Sequence, residues 1–123
     1  AGKHRVLADE PLDVGGMDSG PGPYDFLLGA LGACTSMTMR LYAERKSILL
    51  VRTTVSLQHS RVHAKDCAEC ETKEGMISRI ERTIAMDGNL DTEQRKKLME
   101  IADKCPVHRT LTSEISIVTK AAD

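Results

Sequence analysis

Between Tyr24 and about Lys46 runs a helical stretch whose apolar residues do not keep to one face. Phe26, Leu27, Leu28, Ala30, Leu31, Ala33, Cys34, Met37, Met39 and Leu41 cover nearly the whole circumference at about 100° per residue. A helix of this kind is stable in water only where it is covered all round, in a core or a subunit interface. The chain has 123 residues, enough for one ordinary domain but little material to wrap such a helix completely. The expectation is a single domain over residues 1–123 that pairs as an intimate homodimer. Gly29 and Gly32 lower helix propensity here but let another backbone come close.

The remaining segments read as strands, loops and one further helix. HRVLADE, near the N-terminus, reads as a short strand. Gly15, Gly16, Gly20 and Gly22, interspersed with Pro11, Pro21 and Pro23, then make a loop. Pro23 suits the first turn of the long helix, and Asp25 sits near its positive end. From Leu50 to His63, Val51, Thr53, Val55 and Leu57 alternate onto one face of a strand. A polar link, AKDCAECETKEG, leads to a second strand over Met76–Met86, and Asp87-Gly88-Asn89 reads as a turn. Asp91 and Gln94 have the spacing of a capping box. Leu98, Ile101, Ala102 and Cys105 follow helical spacing, which places Cys105 in the last turn facing the core, with Pro106 ending the helix. SEISIVTK reads as a closing strand. The order β, long helix, β, β, helix, β predicts an α+β domain with an antiparallel sheet.

Charge and composition remove several classes of function. Lys and Arg number 17 against 18 Asp and Glu, so no basic stripe is available for nucleic acid. Tyr24, Phe26 and Tyr42 are the whole aromatic set, too few to stack bases. The longest uncharged run, Phe26 to Met39, has 14 residues, short of the ~20 needed to span a bilayer. The N-terminus is charged from its third residue and carries no signal peptide, so a cytosolic location with reduced thiols is expected by default. The chain begins without Met, which leaves room for a preceding segment.

The cysteines are the residues that could carry chemistry. Cys34 and Cys105 lie on predicted buried helices 71 residues apart. Each is either a small core hydrophobe or one half of a redox pair, in which a second thiol resolves a sulfenic acid. The other two fall in HSRVHAKDCAEC, where His59, His63, Cys67 and Cys70 form H-x3-H-x3-C-x2-C. That set could chelate Zn²⁺, or Cys67 and Cys70 could form a disulfide or redox pair, or both could be plain reduced thiols. His108, three residues past Cys105, could tune that thiol or favour the end of the preceding helix.

GPGPYDFLLGALGACTSMTMRLYA and IADKCPVHRTL resemble the two cysteine motifs of the OsmC/Ohr family, the osmotically inducible and organic-hydroperoxide-resistance proteins. The likeness runs from ADEP through the last segment and is nearest to the OsmC-like branch. It implies an intertwined α+β homodimer and a cytoplasmic thiol peroxidase acting on organic hydroperoxides, needing no cofactor. Cys34 would attack the peroxide, Cys105 would resolve the sulfenic acid as a disulfide, and a dithiol would reduce it. Arg5 would be the cation that holds the Cys34 thiolate. The hydroperoxide-resistance pattern has a Glu ten residues before the first cysteine, whereas this chain has Tyr24 there. Asp25 is adjacent and could supply a carboxylate, or could only favour the helix N-terminus. The alternative function is a weakly catalytic or non-catalytic protein of the same fold that binds a small ligand or a metal.

Overall fold

The computed structural model describes residues 2–122. Five main elements follow one another: α1 (Pro23–Arg45), β1 (Leu49–His63), β2 (Met76–Asn89), α2 (Thr92–Ala102) and α3 (Pro106–Leu111). The chain forms two compact units. One comprises the chain up to Gly32 with Val55–Ile84, the other Ala33–Thr54 with the chain from Ala85 onward.

Each end of α1 is closed by local hydrogen bonds. Pro23 occupies the first turn, the Gly22 carbonyl accepts from Phe26 N–H, and Asp25 Oδ2 accepts from Gly22 N–H at 2.9 Å. Asp25 thus ties the N-terminus of the helix, satisfying a donor that would otherwise be left over. At the other end Ser47 takes the left-handed conformation, with φ of 55°. Ile48 N–H then reaches the Ala43 carbonyl and Ser47 N–H the Glu44 carbonyl, the paired bonds of a Schellman stop.

Within this one chain α1 is not buried on all sides. Leu31, Thr35, Met39 and Ala43, spaced four apart, form a buried stripe. Met37 and Leu41 are 66% and 60% exposed, and Phe26 and Leu27 are also open to solvent. The all-round apolar pattern therefore exceeds what a single copy covers. Of the methionines at 17, 37, 39 and 76, Met39 is buried and the other three are exposed.

β1 and β2 pair as a two-stranded antiparallel sheet. Burial alternates over most of both strands, as one half-covered face requires. It slips in β1 at Val51–Arg52 and Ser60–Arg61 and in β2 at Arg79–Ile80, so that Val51, expected to share a face with Thr53, Val55 and Leu57, is exposed. In the first unit Gly32 on α1 admits Leu57 of β1, whose Cδ1 would stand 2.9 Å from a Cβ at that position. The expected turn at Asp87-Gly88-Asn89 is instead the end of β2. Gly88, with φ of 149°, keeps pairing there because a Cβ would meet the Leu49 carbonyl oxygen.

The two expected outer strands do not form. HRVLADE and SEISIVTK are irregular, and Val6 and Ile117 stand 69% and 85% exposed. A strand exists only where a ladder of backbone N–H and C=O groups is taken by a neighbour. The backbone bonds of HRVLADE to the following loop, Asp9 N–H to the Pro21 carbonyl and Asp18 N–H to the Glu10 carbonyl, make no such ladder.

α2 begins as its spacing predicts. Asp91 accepts from Gln94 N–H, and the Gln94 side chain accepts from Asp91 N–H. Leu98, Ile101 and Ala102 are buried along it. The helix ends at Ala102, however, and Cys105 lies beyond it.

Candidate active site

The second unit carries both Cys34 and Cys105, and neither is in a disulfide. Cys34 is half-buried near the middle of α1. Its neighbour Thr35 is fully buried on the inward stripe. Cys105 is fully buried, and its Sγ lies 3.8 Å from Thr35 Oγ1. The fold thus brings Cys105 to α1 at the residue following Cys34, across a sequence separation of 70.

Cys105 is not in the last turn of α2 but is the N-cap of α3. Its backbone is extended, Pro106 opens the helix, and Sγ accepts a hydrogen bond from His108 N–H at 3.3 Å. The buried sulfur thus has two polar neighbours, the His108 N–H and the Thr35 hydroxyl. A Cys-Pro pair can be read from sequence as a cap followed by a first-turn proline. Taking Pro106 only as the end of α2 misses that signal. His108 thus meets Cys105 through its backbone N–H, and the C-cap position of α2 is Asp103.

The same unit holds a cavity of about 310 Å³ lined by Thr38, Leu41, Tyr42, Arg45, Ile101, Lys104 and Pro106, a lining that includes neither Cys34 nor Cys105. Lys104 and Pro106 flank Cys105 in the chain, so the cavity and the buried sulfur share one segment. Its walls are largely aliphatic and aromatic, with two cations, Arg45 and Lys104. Nothing in the spacing of the sequence marks these lining residues. Another cation of the unit, Arg40, is committed elsewhere, its guanidinium donating to the carbonyls of Leu50 and Val51.

The other predicted residues belong to the first unit. Arg5 is exposed in the irregular N-terminal segment. Asp25 serves the helix end, as described. Tyr24, where the related pattern has Glu, stacks on the His59 ring with centroids 4.5 Å apart.

His59, His63, Cys67 and Cys70 do not converge as a ligand set. Cys67 and Cys70 form a disulfide with each other, which leaves no thiolate for a metal. The burial alternation of β1 slips by one residue at Ser60 and Arg61, so His63 is exposed while His59 is half-buried. Among the described residues no group of three His, Cys, Asp or Glu side chains has the geometry to hold a metal ion. Among the same residues no helix is long and apolar enough to cross a membrane.

Asp9 organises the loop that precedes α1. Its carboxylate accepts from Glu10 N–H, Met17 N–H, Ser19 N–H and the Ser19 hydroxyl. Led by the Ser19 hydroxyl, these donors lower its pKa from 3.8 to about 2.

Known structures share this architecture. The chain is similar to an OsmC-like protein from Mycoplasma pneumoniae, with 23% identity and a TM-score of 0.69 over 90% of this chain and 74% of that one. It is similar to an organic hydroperoxide resistance protein, OsmC, from Legionella pneumophila, with 19% identity and a TM-score of 0.65 over 90% and 76%. An OsmC-like protein of unknown function from Vibrio cholerae matches at 14% identity and a TM-score of 0.60 over 90% and 74%. At these identities the likeness speaks for the fold alone. No curated protein sequence matches the chain. The sequence model of the OsmC-like proteins matches residues 16–120, which takes in both helices that bracket the buried cysteine as well as the paired strands. With motif order and fold in agreement over most of its length, the chain belongs to the OsmC-like protein family.

Proposed function

We propose that this protein is a thiol-dependent peroxidase that reduces organic hydroperoxides, with Cys34 as nucleophile and Cys105 as resolving residue. The observation that carries the reading is the contact of Cys105 Sγ with Thr35, one residue along α1 from Cys34. Cys34 is partly open to solvent, as an attacking thiol must be, while Cys105 is sequestered. The Cys34 thiolate attacks the terminal oxygen of ROOH. The O–O bond breaks, Cys34 becomes a sulfenic acid, and the alkoxide leaves as ROH after taking a proton. The Cys105 sulfur then attacks the Cys34 sulfur, forming the disulfide and releasing water. A dithiol reduces that disulfide by exchange and is itself oxidised to a cyclic disulfide.

The cavity of the second unit, walled by Leu41, Tyr42, Ile101 and Pro106, supports an organic rather than an inorganic peroxide, since these side chains favour a hydrocarbon group. Arg5 remains the proposed partner of the Cys34 thiolate. The working form is proposed to be a homodimer. Exposed Phe26, Leu27, Met37 and Leu41 on α1, with Ile115, Ile117 and Val118, support a second copy as their cover.

The test is turnover of cumene hydroperoxide with dithiothreitol by the wild type, Cys34→Ser and Cys105→Ser. Cys34→Ser is expected to abolish turnover. Cys105→Ser is expected to retain one stoichiometric reduction and to accumulate a sulfenic acid that a dimedone probe captures. Unchanged turnover by Cys34→Ser would falsify the mechanism.

A further inference from the structure

We infer that Cys67 and Cys70 form a second redox site, a thiol–disulfide exchange centre for small dithiols that is independent of Cys34 and Cys105. The two sulfurs are bonded to each other in the polar link between β1 and β2, and both residues are half-exposed. As a staple this bond would contribute little. It joins residues only three apart, and closing so short a loop removes the least chain entropy. The link is also held without it. Ala64, fully buried, donates its N–H to the Gly75 carbonyl at 2.8 Å, and Cys67 N–H reaches the Ala64 carbonyl at 3.1 Å. Breaking the S–S bond therefore leaves the ends of the link in place, which is what reversible exchange requires.

The two sulfurs are not equivalent. Lys73 Nζ donates to the carbonyls of Cys67 and Ala68 at 3.4 and 3.3 Å, which holds an ammonium group beside Cys67. Cys70 stands between Glu69 and Glu71, both exposed, and Asp66 and Lys65 are exposed on the other side of Cys67. An ammonium group held at the Cys67 backbone stabilises negative charge on Cys67 relative to Cys70, which stands between two glutamates. Cys67 is accordingly the better leaving group, and Cys70 is the sulfur attacked first. The thiolate of a dithiol bonds to Cys70 Sγ, the Cys67–Cys70 bond breaks, and Cys67 leaves as a thiolate. The second thiol of the reductant then attacks its own sulfur in the mixed disulfide and closes a ring. Cys70 departs as a thiolate that takes a proton, so one disulfide is reduced to two thiols while one dithiol is oxidised. A monothiol lacks that second step, and Cys67, three residues away, expels it from the mixed disulfide. The pair therefore selects dithiols.

The test uses a Cys34→Ser/Cys105→Ser protein, in which Cys67 and Cys70 are the remaining cysteines. Dithiothreitol is expected to release two thiols per chain with the far-ultraviolet circular dichroism unchanged, and oxidised lipoamide to remove them again. In this background the single thiol left by Cys70→Ser is expected to react with iodoacetamide at pH 7 about five-fold faster than the one left by Cys67→Ser. Lys73→Gln is expected to erase that difference. A pair that withstands 10 mM dithiothreitol (about the strength routinely used against exposed disulfides) would overturn the inference. Reduction that unfolds the protein, or equal alkylation rates of the two single thiols, would overturn it as well.

Discussion

The Cys105 sulfur lies 3.8 Å from the hydroxyl of Thr35, the residue that follows Cys34 on α1. Both partners are fully buried, so the contact belongs to the core of its unit as much as to the proposed chemistry. Thr35→Val keeps the shape and removes the hydroxyl. It is expected to lower unfolding free energy by about 1 kcal/mol, the usual net worth of one buried hydrogen-bonding group. Urea denaturation would read this as a lower midpoint at unchanged slope; an unshifted midpoint would mean that the hydroxyl contributes nothing.

The stop of α1 carries a conformational cost. Ser47 sits at φ 55°, where a Cβ crowds the following carbonyl. Ser47→Gly keeps the Ile48–Ala43 and Ser47–Glu44 bonds and relieves that crowding. Thermal unfolding should show a stabilisation of about 1 kcal/mol. A destabilised variant would show that the Ser47 side chain contributes more than its backbone strain costs.

Two glycines should respond differently to alanine. At Gly88 a Cβ would collide with the backbone oxygen of Leu49, and φ is 149°. Gly88→Ala must therefore displace backbone, at a cost of about 2–3 kcal/mol. At Gly32 the obstacle is the tip of a side chain, Leu57 Cδ1, which can turn aside while the helix gains about 1 kcal/mol of propensity. Gly32→Ala is expected to be near neutral. The pair of denaturation curves tests whether the β1–β2 approach at Gly88 is as close as described.

Asp9 makes the loop before α1 sensitive to acid. Its folded pKa, about 2, lies below the ordinary 3.8, so the ionised group favours the ordered loop fully above 3.8. That contribution fades as pH falls through 3.8 and is gone below about 2. Hydrogen-exchange protection at Met17 and Ser19, whose N–H groups bond Asp9, measured against the intrinsic rate at each pH, should fall over that window. Asp9→Asn should show faster exchange already at neutral pH and no acid step between pH 4 and 2, window ends that bracket about the range set by the two pKa values.

Much of the local structure was legible in residue spacing. α1, β1, the start of β2 and the Asp91–Gln94 capping box follow from periodicity and capping, which involve residues at most a few positions apart. The motif residues around Cys34 and Cys105 pointed to the same family that the residues 16–120 match identifies. Spacing could not foresee that HRVLADE and SEISIVTK form no strand, because a strand depends on a neighbour the segment does not itself encode. It placed Cys105 at the end of α2, since the i, i+3, i+4, i+7 pattern continues past Ala102 even though the backbone does not.

Four cysteines and four histidines bounded the chemistry from the start. Sequence left the Cys67/Cys70 loop open between metal, disulfide and free thiols, and the fold resolved it by bonding the two sulfurs and stacking His59 on Tyr24. The contact of Cys105 with Thr35, across 70 residues, likewise exists only once α1 and α3 are folded. Local spacing determines which way a side chain faces on its own element. What it then touches is decided by packing between elements, and packing is where the proposed redox site arises.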